Sequence, residues 1–505
     1  MSVTSRREFM NDLGAASIAF CLTRSTSAFS QNTPPTRPNI VVFLVDDMGW
    51  EDTSEPFYKK VTGLNRRYHT PNMEALAGEG VKFTQAYASA LCSPTRVSLI
   101  TGLNAARHRV TNWTLRKNIS PDPESSDLIL PAWNVNGLSP IPGIERTVYV
   151  KPLPMFLREA GYRTIHVGKA HWGAEGTPGA DPKNLGFDIN IAGHAAGGPG
   201  SYHGQHNYSA VWRNGDRIWD VPGLEAYHGT DTYLTEALTR EANNAFDDAV
   251  AQKTPFFLYM SHYAVHAPWE KDDRFYSKYM DAKLKDSDAT YASMIEGMDK
   301  SLGDIRANLK RLGVEDNTII IFMSDNGAAK QVPLNLPLRG HKLTPYEGGI
   351  RVPMIVKWPG VTKPSSVCNE AVIIEDFFPS ILEMANVQTC EQIGGKVDGI
   401  SFAPLLREDA APPKNRSLVW HYPHCYDQPP YSVIRQGDWK LIYFHLDQRY
   451  ELYNIQEDIE EKTDLHEKNP DITRRLADEL RRILVERGAQ MPVLKKSGLP
   501  VPLPG

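Results

Sequence analysis

The sequence predicts an α/β fold: a doubly wound, mostly parallel central sheet flanked by helices, followed by a smaller C-terminal antiparallel sheet with one helix. Three observations predict it. Short apolar runs that end abruptly in polar clusters alternate with longer helical patterns, as buried parallel strands and their crossover helices do. The 505 residues, 41% hydrophobic and 23% charged, suffice for a large core. Past residue 415 the pattern changes to closely spaced strands with a single closing helix.

Taken in order, Asn39 to Val45 is a nearly continuous apolar run that stops at Asp46-Asp47. Arg163 to Gly168 repeats the form and ends in Lys169-Ala170-His171. Pro255 to Met260 leads to His262 and His266, and Thr318 to Met323 leads to Ser324-Asp325-Asn326-Gly327. Met354 to Lys357, the last of these strands, follows Arg351-Val352-Pro353. Helical patterns lie between them at 72–79, 152–160, 235–251 and 289–312. Open α/β sheets place their sites at the carboxyl ends of the strands. Polar clusters follow four of these five strands, so those clusters are expected to meet. This catalytic domain spans 37–408, and Glu408 to Lys414 reads as a linker. Strands at 417–422, 431–435, 439–444 and 449–454, with a Gly437-Asp438 hairpin turn and a helix at 470–487, make an α+β subdomain over 415–490. The Pro-rich segment after Gln490 reads as an extended tail.

The first thirty residues read as an export signal. Ser5-Arg6-Arg7-Glu8-Phe9-Met10 matches the twin-arginine pattern, Leu13 to Leu22 is apolar but too short to span a bilayer, and Thr26-Ser27-Ala28 offers small residues for cleavage. Residues 1–30 are therefore assigned to a signal peptide. The expectation is a periplasmic or secreted protein carried by the twin-arginine translocase, with no stable membrane insertion. A net charge of −5 argues against a nucleic-acid partner. Five cysteines are too few for a disulfide scaffold. Cys21 falls in the signal, and Cys368 and Cys390 are available to pair in an oxidising compartment, leaving Cys92 and Cys425.

The sharpest motif is Leu91-Cys92-Ser93-Pro94-Thr95-Arg96, a C-x-P-x-R element at an apolar helix start. A cysteine at a helix N-terminus is expected to have a lowered pKa and an exposed sulfur, although a lone cysteine is more often a buried structural thiol. The adjacent carboxylates Asp46 and Asp47 repel one another unless a cation neutralises them. Asp325 and Asn326 add a carboxylate and an amide oxygen at another strand end. Hard divalent cations prefer such oxygens, and with no extra His or Cys at these positions zinc is disfavoured.

At these residues the chain resembles the type I sulfatases of the alkaline-phosphatase superfamily, in particular exported bacterial polysaccharide and aryl sulfatases. The resemblance runs from about residue 37 over nearly all that follows. It is carried by Pro38 to Trp50, by the C-x-P-x-R element, by Gly168-Lys169-Ala170-His171-Trp172-Gly173, by Val265-His266-Ala267-Pro268, and by Leu338-Arg339-Gly340-His341-Lys342 with Glu347 to Pro353. It implies that a separate formylglycine-generating enzyme oxidises Cys92 to Cα-formylglycine, and that Asp46, Asp47, Asp325, Asn326 and the hydrate of that aldehyde hold one Ca2+. It further implies that one hydroxyl of the hydrate, held by Ca2+ and Arg96, attacks sulfur in line. Lys169 and Lys342 would offset charge on the sulfuryl oxygens, His266 would protonate the departing alcohol, and His171 would take the proton that lets the aldehyde reform. The motif selects His266 over His262. His341 replaces a position that is often small in the family, which brings an imidazole toward the substrate; Arg339 and Arg351 read as structural.

The substrate implied is a sulfated sugar or polysaccharide fragment, of the galactose or N-acetylgalactosamine type. Loops at 110–150 (with Trp113, Trp133 and Asn134 to Gly137), at 193–212 and at His421 to His424 provide either sugar contacts or loop anchors. Two rivals stand beside this reading. One is a phosphonate or phosphate monoester hydrolase using the same site, and the other an inactive glycan-binding homologue, which the full set of catalytic residue types opposes. A two-zinc phosphatase does not fit the site cysteine and oxygen-only ligands.

Overall fold

The computed structural model describes residues 37–332, 335–387, 397–407 and 416–505. The expected signal peptide, Cys390 with the pairing to Cys368 offered above, and the expected linker at 408–414 lie outside the described residues. Among the described residues the central sheet has nine strands. In chain order they are β1 (Asn39–Val45), β2 (Val81–Tyr87), β3 (Arg163–Gly168), β4 (Ile189–Ile191), β5 (Phe256–Ser261), β6 (Thr318–Ser324), β7 (Arg351–Lys357), β8 (Ser366–Cys368) and β9 (Val372–Ile373). Their spatial order is β8-β2-β7-β6-β1-β5-β3-β4, with β9 also pairing to β2. Every pairing is parallel except those of β7, which runs against both its neighbours. The N-terminal end of β7 therefore lies at the edge where the other strands end.

The apolar run of β1 is explained by burial on both faces. Ile40, Val42 and Leu44 enter one core with Val97 of α2 (Cys92–Thr101), Phe156 of α3 (Leu153–Glu159) and Phe378 of α6 (Phe377–Met384). Val41, Phe43 and Val45 enter the other with Leu76 of α1 (Pro71–Glu79), Leu238 of α4 (Leu234–Ala251) and Met298 of α5 (Asp286–Arg311). Each such side chain contributes on the order of 1.5–3 kcal/mol, so β1 is anchored from both faces of the sheet.

The smaller sheet is an antiparallel meander of β10 (Ser417–Tyr422), β11 (Tyr431–Gln436), β12 (Trp439–Phe444) and β13 (Tyr450–Asn454). Alternation gives it two faces. Ile434, Leu441 and Leu452 pack on Leu476, Leu480 and Leu484 of α7 (Pro470–Arg487). Trp420, Val433 and Ile442 point the other way, into the core that holds α2 and α6. The segment after Gln490 is folded back, not free: Val493–Leu494 pairs antiparallel with Leu128–Ile129, because a short apolar pair there completes a two-strand ladder. No helix among the described residues is long and apolar enough to cross a membrane.

Candidate active site

Strand register builds the site. Val45 of β1 is level with Ser324 of β6, while Leu44 of β1 and Gly168 of β3 both face Ser261 of β5. Residues following these four strands therefore emerge side by side. Two further backbone bonds tie the end of β1 to the turn after β5: Asp46 N–H donates to Ala264 O at 2.9 Å, and Val265 N–H donates to Asp46 O at 2.6 Å.

Carboxylate oxygens of Asp46, Asp47 and Asp325 come within 4.8 Å of one another, and all three side chains are buried. Three cations meet them. Lys169 Nζ lies 2.6 Å from Asp46 Oδ2, Lys342 Nζ lies 2.6 Å from Asp47 Oδ1, and Arg96 donates Nε and Nη2 to Asp325 Oδ2 at 2.9 and 2.7 Å. Burial, then the charge of Asp325, pushes the Asp46 carboxyl well above the usual carboxylate range despite Lys169. Burial acts the same way on Asp47, but Lys342, His266 and Lys169 together hold it below its ordinary value.

Two oxygens of this cluster, Asp46 Oδ1 and Asn326 Oδ1, are buried without a hydrogen-bond partner. The amide of Asn326 is oriented by its nitrogen, which donates to Asp47 Oδ1 at 2.7 Å. A buried oxygen left without a donor costs roughly 1–3 kcal/mol. Orphaned hard oxygens beside three clustered carboxylates are what a divalent cation with a preference for oxygen ligands would take up. The acidic triad with Asn326 can therefore hold a metal ion.

Cys92 opens α2 and is 4% exposed. Here the structure corrects the sequence expectation of an exposed sulfur with a lowered pKa. Burial pushes the thiol up, more than Lys169 and Lys342 pull it down, so desolvation outweighs the two lysines. Arg96, one turn along, is wholly buried. Besides Asp325 it donates Nη1 to the Lys169 carbonyl at 3.1 Å and to Ser261 Oγ at 2.5 Å. Its donors thus fix Asp325 and the backbone at Lys169, and Ser261 is a site residue the sequence reading passed over.

The two selected histidines differ in state. His171 Nε2 is 2.8 Å from the Thr114 carbonyl and so must carry the proton there, while Nδ1 is buried without a partner and free to accept. Burial, then Lys169 and Arg96, pushes its pKa well down. His266 Nδ1 bonds the Ala267 carbonyl at 2.7 Å, and Nε2 faces Asp47 Oδ2 at 3.9 Å. Burial and Lys342 lower His266 to about 3. His262 is turned away, with Nε2 bonded to Ser301 Oγ at 2.9 Å. Two glycines that the sequence reading placed in a substrate loop lie against these rings. A β-carbon on Gly197 would fall 2.3 Å from His171 Cε1, and one on Gly198 would fall 2.7 Å from His266 Nδ1.

His341 turns its Nδ1 to the Lys342 carbonyl at 2.8 Å. Arg351 pairs with Glu347 at 3.2 Å, and Arg339 bonds the Tyr453 hydroxyl and the Glu461 carbonyl, both structural contacts. Most of the aromatic loop residues are anchors: Trp133 is buried edge-on to His424, which bonds Asp122 and Thr111.

A family profile described as Sulfatase matches residues 38–387, and one described as N-sulphoglucosamine sulphohydrolase, C-terminal, matches 341–487. A Formosa agariphila protein named Sulfatase is 30% identical, covering 93% of this chain and 92% of its own. N-acetylgalactosamine-6-sulfatase of Mus musculus is also 30% identical, over 74% of this chain and 66% of its own. The crystal structure of Ps i-CgsB, 27% identical, matches with a TM-score of 0.72 over 89% of this chain and 93% of that one. The chain belongs to the sulfatase family of the alkaline-phosphatase superfamily and is a sulfuric ester hydrolase.

Proposed function

We propose that this hydrolase removes sulfate from a sulfated glycan, with Cys92 converted to Cα-formylglycine and one Ca2+ held by Asp46, Asp47, Asp325 and Asn326. The observation that carries the reading is the meeting of Cys92 with three carboxylates, an orphaned amide oxygen and two lysines at the strand ends. Bound there, Ca2+ would supply Lewis-acid polarisation, and the hydrated aldehyde would supply the nucleophilic oxygen.

The chain's own residues do the rest. Lys169 and Lys342 draw the sulfate group in and offset the charge that grows on its oxygens. Arg96 keeps Asp325 in place. His266 is neutral in the free enzyme; the negative charge of the sulfate ester would offset Lys342 and let Nε2 carry a proton to the departing alcohol. His171, with Nδ1 unprotonated, is suited to take up the proton whose loss releases sulfate.

The substrate class is supported by relatives: one is named N-acetylgalactosamine-6-sulfatase, and Ps i-CgsB has been solved with k-i-k-neocarrahexaose. A galactose- or N-acetylgalactosamine-type sulfated glycan fits both. The Arg6-Arg7 motif supports twin-arginine export to the periplasm or beyond, after a formylglycine-generating enzyme has acted in the cytoplasm.

The test is a mass spectrum of the Cys92 peptide from protein coexpressed with such an enzyme. A loss of about 18 Da, thiol to aldehyde, is expected, with calcium-dependent hydrolysis of an aryl sulfate in preference to an aryl phosphate. Cys92→Ala should abolish that hydrolysis and leave the melting temperature near wild type. An unmodified thiol in active protein, or turnover that survives in the alanine variant, would sink the assignment. Faster turnover of the phosphate would favour the phosphatase reading.

A further inference from the structure

The segment that presses on His171 and His266 continues into a cavity that the reaction does not use. Beyond Gly197 and Gly198, Ser201 Oγ and the Tyr202 N–H both donate to Glu270, at 2.8 and 2.6 Å, and the Tyr202 hydroxyl donates to the His266 carbonyl at 2.8 Å. Farther along, Asp216 pairs with Arg116, two residues from the Thr114 carbonyl that holds His171. The segment is thus tied to the catalytic cleft at two places. Within it lies a cavity of about 520 Å³, lined by Asn207, Trp212, Arg217 and Asp220 among others.

Trp212 is the main feature of that cavity. His206 stacks on its ring with centroids 4.4 Å apart and planes 12° from parallel, yet Trp212 stays 49% exposed. Val211 beside it is 43% exposed. A single exposed apolar residue is ordinary. An indole held by a second ring, open to a cavity and ringed by hydrogen-bonding groups, is a preorganised surface. Its shape and chemistry match a sugar ring, with the C–H face on the indole and the hydroxyls toward Asn207 and Asp220. Arg217 donates Nη1 to Asp220 at 3.3 Å, yet its side chain is 78% exposed, so its other guanidinium donors can pair with a sulfate or carboxylate substituent.

We propose that this cavity is a second sugar subsite, which holds a ring of the same sulfated oligosaccharide at a distance from the sugar that loses its sulfate. The proposal rests on the glycan-sulfatase reading and makes the substrate an oligosaccharide, not a single sugar.

The test uses Cys92-oxidised full-length enzyme, with 4-nitrophenyl sulfate and a size-graded panel of sulfated galactan and glycosaminoglycan oligosaccharides. Trp212→Ala should raise KM about tenfold on the longer fragments that wild type cleaves best, equivalent to about 1.4 kcal/mol. Its kcat on them, its kcat/KM on the aryl sulfate and its melting temperature should match wild type, and Trp212→Phe should fall between. Equal KM for wild type and Trp212→Ala on the best-cleaved oligosaccharide would overturn the subsite. Hydrolysis of the aryl sulfate but of no oligosaccharide would overturn it too, and would leave the sulfatase chemistry standing. Hydrolysis of no substrate at all would overturn the parent reading and the subsite with it.

Discussion

At the scale of single residues, the site is a balance of buried charge. The Lys169 side chain is fully buried on Asp46, whereas that of Lys342 keeps 14% exposure on Asp47. Removing one partner of a buried pair leaves an unpaired charge and costs about 3–5 kcal/mol. Lys169→Ala should therefore lose both activity and stability. Lys342→Ala should lose kcat/KM for an aryl sulfate with a much smaller fall in the denaturation midpoint. Equal stability losses in the two variants would show that burial does not separate their roles. The same balance predicts a response to calcium. As the proposed calcium site, the triad with Asn326 would bind the ion only when folded, so free Ca2+ at a hundred times its Kd should stabilise by about 2.7 kcal/mol. Chelation should lower the melting temperature, and Asn326→Ala, which deletes an orphaned oxygen, should shrink that response. A melting temperature indifferent to calcium in the wild-type protein would remove these residues as a calcium site.

At the scale of elements, the site depends on strands meeting in register, and at Gly168 β3 leaves no room for a side chain beside β5. This glycine has φ 99°, and a β-carbon there would lie 1.8 Å from the Ser261 carbonyl oxygen. The obstacle is backbone, which no rotamer change can relieve. Gly168→Ala should cost more than roughly 3 kcal/mol in urea unfolding, well beyond the ordinary effect of a point change. A loss under about 1 kcal/mol would mean that the two strands can part without consequence. This element was legible as the G-K-x-H run, and β1, β5 and β6 were legible from apolar runs that end in polar residues. β2 was not: Val81, Phe83, Ala86 and Tyr87 are buried while Lys82, Thr84 and Gln85 are half-exposed, a shorter and mixed signal than an all-buried run. Nor could the reversed direction of β7 be read, since the sequence of one strand does not encode its neighbours' polarity. The state of Cys92 is not legible in the sequence, because its desolvation comes from packing distant in sequence. The anchoring of Trp133 and His424 likewise depends on partners, Ser120, Asp122 and Thr111, that only the fold brings near.

At the scale of the whole molecule, the two sheets are joined by buried polar groups as well as by a shared apolar core. Lys440 of β12 reaches Glu347, at the turn into β7, and Glu461, at 3.0 and 2.8 Å. Asn104 donates to both Glu375, between β9 and α6, and the Val419 carbonyl of β10, at 2.9 and 2.8 Å. Glu375 makes this junction sensitive to pH. Burial, reinforced by Asp376 and opposed by Arg487, raises its pKa from an ordinary 4.5 to about 7. The folded value lies above the unfolded one, so the folded state binds more protons between them. The contribution of this group is complete below about pH 4.5 and is lost as pH rises through about 7, at up to about 1.4 kcal/mol per unit. Glu375→Gln keeps an acceptor for Asn104 and removes the titration. Its stability relative to wild type should accordingly grow from pH 5 to pH 8, by roughly 1–3 kcal/mol in urea midpoints converted at a common slope. A difference that stays constant across that range would mean Glu375 ionises at the junction without penalty, with Arg487 compensating in full.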